Sequence, residues 1–151
     1  MKKLLLVLIG LIPFVLGFAM NSWLIDNPNS ILPFKPIGIL FLVFWVWIGF
    51  IMCKYAETPY QSAVIIHLPA LFVLLLVMYQ DMVLEEYWSN LLGLATQVFY
   101  LPLINLSSFI FSYTMTGGLY VQMSTSVIVA FLLMYGSYYV GCYLKKVVSG
   151  K

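Results

Sequence analysis

Residues 87–144 read YWSNLLGLATQVFYLPLINLSSFIFSYTMTGGLYVQMSTSVIVAFLLMYGSYYVGCYL, 58 positions without one charged side chain. As a single helix this stretch would be about 90 Å long, against a bilayer hydrocarbon core of about 30 Å. It is too long for one crossing and too greasy for a small soluble domain to hide. It therefore predicts repeated passage through a membrane, with lipid as the main solvent of the fold.

The rest of the chain agrees. Hydrophobic residues make up 64% and charged residues 8% of 151 positions, where soluble domains have roughly 45–50% and 25%. All the basic charge is lysine: Lys2, Lys3, Lys35, Lys54, Lys145, Lys146 and Lys151. With no extended basic cluster, nucleic acid is not an expected partner. The bilayer is, and so are other membrane subunits. No cofactor is expected. The dilysine start, the absence of arginine and the lack of extended tails fit a bacterial cytoplasmic membrane, hence a multi-pass protein of the cell membrane.

Charges and turn residues divide the sequence into apolar windows. Asp26-Asn27-Pro28-Asn29-Ser30 is a turn cluster, and Lys35-Pro36 closes the same loop. Lys54 to Gln61 is a short connection, and Asp81 to Asn90 an acidic loop with Tyr87-Trp88 as an interface belt. Within the long uncharged run, Tyr113-Thr114-Met115-Thr116-Gly117-Gly118 is the natural break. The windows are continuously apolar rather than alternating, which argues for helices and against a barrel. The expected fold is an all-α, polytopic transmembrane bundle, one membrane domain over residues 1–151, with five spans near 4–25, 37–53, 62–79, 91–112 and 121–144. The start, Met1-Lys2-Lys3 before an apolar run, also has the form of a signal peptide. The small-residue cleavage site around Gly17-Phe18-Ala19 is poorly formed, so it is expected to be an uncleaved first span.

The lysines object to five spans. With the N-terminus inside, five crossings leave three lysines inside and four outside, whereas the positive-inside rule asks for an excess inside. If one segment fails to cross, the ratio becomes six to one. Leu91 to Ser112, which carries Pro102 and several polar groups, is the best candidate, so four spans plus one re-entrant segment is the alternative. Such a segment is tolerated only where protein or a wet cavity covers it.

Few residues offer chemistry. His67 is the one strongly ionisable group well inside a span, and such groups are functional candidates by default. The bland alternative is a neutral imidazole hydrogen-bonded within the bundle, with the carbonyl freed by Pro69 as a partner. Gln97, Tyr100, Asn105, Ser108 and Ser112 fall within an arc of about 140° on an ideal helix. An unpaired amide in hydrocarbon costs several kcal/mol, so this stripe is expected to face other helices or a wet cavity. It would then be either interhelical glue or the lining of a substrate or partner site. Ser137 and Gly141 form a small-x-x-x-small pair that permits close helix approach, within the bundle or to a partner. Asp81, Glu85 and Glu86 read as the solvated end of a span. Cys53 and Cys142 would lie on opposite sides after five crossings and on the same side after four.

Several function classes lack their marks. No carboxylate lies at membrane depth, no Cys-x-x-Cys or His-Glu-x-x-His occurs, and there is no Gly-x-Ser serine for the single histidine to serve. No Gly-x4-Gly-Lys-Ser/Thr phosphate loop is present. The leading expectation is a non-enzymatic accessory or interaction subunit of a larger membrane complex. The alternatives are a small transporter or channel using the span-four stripe, and a membrane enzyme acting on a lipid through His67 or the acidic loop.

Overall fold

The computed structural model describes residues 2–114 and 123–149, and of residues 2 and 111–114 the backbone only. All regular structure among them is helical. The helices are α1 (Lys2–Ile9), α2 (Ile12–Asp26), α3 (Phe34–Met52), α4 (Pro59–Ile66), α5 (Leu68–Tyr79), α6 (Leu91–Phe99), α7 (Leu101–Thr114) and α8 (Met123–Val148). A 3-10 turn, Cys53–Tyr55, finishes α3, and a π turn, Gln80–Leu84, finishes α5. Among the described residues, three helical stretches are long and apolar enough to cross a bilayer: Lys3–Asp26, Phe34–Tyr55 and Met123–Val148. The count rises to five if each of two bent pairs, α4–α5 and α6–α7, is one crossing.

Proline sets the breaks. Pro13, Pro69 and Pro102 each stand in the first turn of a helix, just after an interruption. A proline inside a continuous helix would clash with, and leave unbonded, the carbonyl four residues back. The chain responds by ending one helix and starting another. α1 and α2 stay aligned enough to act as one span, whereas α4 and α5 are bent by 51° and α6 and α7 by 54°. The expected spans at 62–79 and 91–112 are therefore each two helices. Two starts carry side-chain caps: Thr58 accepts from the Gln61 N–H ahead of α4, and Asn90 accepts from the Gly93 N–H ahead of α6. The expected turn at Tyr113–Gly118 falls largely outside the described residues.

α3 and α8 form the centre of the bundle. Gly49 of α3 packs against the Tyr138 carbonyl, and Gly141 of α8 packs against the Val46 carbonyl. A Cβ at either position would overlap backbone, so the two helices approach as closely as their main chains allow. The sequence's small-residue pair is thus engaged inside the chain through Gly141. Around this seam Phe41, Trp45, Ile48, Val127, Ala130, Met134 and Tyr138 are buried.

The contacts define two ends of the bundle. At one end the C-terminal part of α3, the start of α4 and the C-terminal half of α8 meet. Ser62 Oγ and Tyr138 Oη are 2.6 Å apart, and the Cys142 thiol donates to the Gly49 carbonyl at 3.5 Å. At the other end lie the starts of α3 and α8, the π turn and the α6–α7 pair. There the Ser124 N–H donates to Asp81 at 3.1 Å, and Tyr87 Oη donates to the same carboxylate at 2.7 Å. Burial, and then Asp81, push the Tyr87 hydroxyl up to about 12. Both limbs of the α6–α7 pair touch this second end. On the α6 side, Gln80 bonds the Thr96 hydroxyl and the Trp88 N–H. On the α7 side, Ser108 and Ser126 hydroxyls are 2.9 Å apart, and the Lys35 ammonium sits 3.9 Å over the Phe109 ring.

Candidate functional site

His67 lies at the break between α4 and α5, 2% exposed. The bend turns its ring into the seam, where α3 supplies Trp45 and α8 supplies Phe131, Tyr135 and Tyr138, all within 6.1 Å of the imidazole by ring centre. The indole Nε1–H of Trp45 donates to His67 Nε2 at 3.0 Å. An indole nitrogen only donates, so Nε2 is the accepting nitrogen. Nδ1 lies 2.7 Å from the Ala63 carbonyl, which only accepts, so Nδ1 carries the proton. The ring is thereby fixed as one neutral tautomer with both nitrogens engaged. The carbonyl used is that of Ala63, not the one at Ile65 that Pro69 releases.

The other buried polar groups form similar closed pairs. The Gln80 amide spans Leu76 O, Thr96 Oγ1 and Trp88 N, and Thr96 in turn donates to Gly93 O at 2.8 Å. Tyr100 Oη donates to the Ala70 carbonyl at 2.7 Å, tying the α6–α7 break to α5 just past its own break. Among the described residues, no buried side-chain nitrogen or oxygen lacks a hydrogen-bond partner. The space enclosed by Pro13, Phe41, Phe99, Tyr100, Pro102, Leu103 and Met134 has an apolar lining and is too narrow to admit a water molecule. Among the described residues no three His, Cys, Asp or Glu side chains come together as a metal site requires.

The polar stripe is divided. Tyr100 is buried and Ser108 half-buried, both bonded inside the bundle, whereas Gln97 and Asn105 are exposed. The expectation that the stripe faces inward as one surface is corrected here: the 54° bend beside Tyr100 rotates α7 against α6 and breaks the arc. Gln97 borders an open groove of 460 Å³ with Trp88, Asn90, Leu91 and Leu94. Asn105 borders a separate one of 320 Å³ with the loop before α3. The Ser112 side chain lies outside the described residues. Cys142 and Cys53, by contrast, are brought into side-chain contact at the first end of the bundle.

Trp45, Ser62, Gln80, Thr96 and Tyr138 were not legible as site residues. Trp45 stands in a run of aromatics that reads as bulk, and Ser62 lies 76 positions from its partner Tyr138. No known protein family, curated protein or solved structure matches the chain.

Proposed function

We propose that this chain is a non-catalytic subunit of a larger membrane complex, crossing the cell membrane four times with its lysine-rich end in the cytoplasm. The observation that carries the functional part is the self-contained interior. His67, Gln80, Thr96, Tyr100 and Tyr138 spend their hydrogen bonds on other side chains of the bundle and on the backbone. A relay, a permeation path or a substrate pocket needs polar groups that face water or a ligand. Here the interior groups act as struts. Gln97 and Asn105, the two amides of the expected stripe, are on the outside.

The four-crossing arrangement is supported by the contacts of α6–α7. Leu106 packs on Gly38 and Phe109 lies under Lys35, so α7 rises along α3 toward the end where α3 begins. α6 starts from that same end, beside Gln80 and Trp88. On this reading the pair enters as far as Tyr100 and leaves on the same side, with its break buried against α2, α3 and α5 as a broken backbone in a membrane must be. The crossings are α1–α2, α3, α4–α5 and α8. Six lysines against Glu57 then share one side, and Lys35 stands against Asp26, Asp81, Glu85 and Glu86 on the other. That polarity satisfies the positive-inside rule, which five crossings do not.

The test is isolation from the native membrane through a tag, in a mild non-ionic detergent. The expected result is a defined complex holding this chain and another membrane protein in fixed ratio. Elution of the chain by itself, or only with copies of itself, overturns the proposal.

A further inference from the structure

We propose that the groove between the α2–α3 loop and α7 binds the phosphodiester of a membrane glycerophospholipid, in the leaflet opposite the lysine-rich end. The groove is lined by Leu32, Pro33, Phe34, Lys35, Pro36 and Asn105. Four of these are apolar, and the two polar ones are a cation and an amide. Asn105 and Phe109 are four residues apart on α7 and so share one face, a turn apart. The Lys35 ammonium, 3.9 Å over the Phe109 ring, therefore reaches across to the face that carries Asn105. An ammonium with three donors and an amide NH2 bordering one groove is a donor set for phosphate oxygens. Pro36 has no N–H, and the Phe34 and Ile37 N–H groups are spent on Leu32 and Pro33 carbonyls.

The apolar wall and the surrounding charge select a lipid over a free anion. Lys35 is the single lysine on a side with four carboxylates, a field that repels soluble phosphate. A phosphate anchored by acyl chains stays at the interface regardless of that field. Leu32 and Phe34 give its glycerol region an apolar seat. Asn105, exposed on a segment covered by other helices, gains a partner it would lack in hydrocarbon.

The proposal rests on the membrane orientation above, but not on the existence of a protein partner. It is tested by native mass spectrometry of the full chain released from nanodiscs of phosphatidylglycerol and phosphatidylcholine. Wild type is expected to retain one phospholipid per chain. Lys35→Gln is expected to lower that retention about tenfold or more, as loss of a charge-assisted hydrogen bond implies, and Asn105→Leu to lower it less. Lys54→Gln, at the opposite end, should leave it unchanged. Both groove residues are exposed, so circular dichroism should show all three variants folded. Retention by Lys35→Gln equal to wild type, or an equal loss in Lys54→Gln, overturns the site. Complete release of the lipid by millimolar inorganic phosphate would make it a soluble-anion site and overturn it equally. A failed lipid test with the six lysines still mapped to one side would leave the orientation standing.

Discussion

Trp45→Phe deletes one donor and little volume, and so isolates the bond that holds the seam together. His67 Nε2 would then be buried without a partner, at a cost of about 1–3 kcal/mol. Unfolding by sodium dodecyl sulfate in mixed micelles, followed by circular dichroism, should show that loss. The double variant Trp45→Phe/His67→Phe should lose less than the two singles added together, because both ends of the bond are gone. Strict additivity would mean that the two rings do not interact. At this scale the sequence was only partly informative. His67 stood out because it is ionisable in a greasy window, and an internally bonded neutral imidazole was one of its two readings. Its partner could not be found, because a tryptophan 22 positions away in an aromatic run carries no mark of its hydrogen bond.

Among the elements, the proline positions were legible and their consequences were not. Pro69 and Pro102 stood inside the expected spans, but a proline that merely tilts a span and one that divides it look alike in sequence. The stripe from Gln97 to Ser112 failed as a single surface for this reason: helical periodicity holds only within an unbroken helix. The glycine seam was clearer, since Ser137 and Gly141 announced a close approach, although its partner helix, α3, could not be named. The seam yields a sharp pair of variants. Gly141→Ala places a methyl into the Val46 carbonyl, which a rigid helix cannot move aside, and should cost about 1–3 kcal/mol in the same unfolding assay. Gly136→Ala, on the same helix with open space around it, should be neutral or slightly stabilising. Equal effects of the two would remove the seam from the account.

For the whole molecule, the apolar run pointed to the class, and the lysines are the basis of the proposed direction. Composition required a membrane, but it counted any long uncharged window as a crossing. The contacts of Phe109 and Ser108 with Lys35 and Ser126 set α7 beside the starts of α3 and α8, and the Gln80 bonds to Trp88 and Thr96 set α6 beside the π turn, neither of which composition could show. Sidedness can be read in a background where Cys53 and Cys142 are serine. A cysteine at Ile31 or Ser89 should react in whole cells with a membrane-impermeant maleimide, and one at Lys54 should react only after lysis. Reaction of all three in intact cells would refute the orientation. The most direct measurement is a pair of reporters fused after Lys151, alkaline phosphatase and a fluorescent protein that matures only in the cytoplasm. Four crossings with the lysine-rich end inside predict a fluorescent fusion and an inactive phosphatase; an active phosphatase with a dark fluorescent fusion would contradict them.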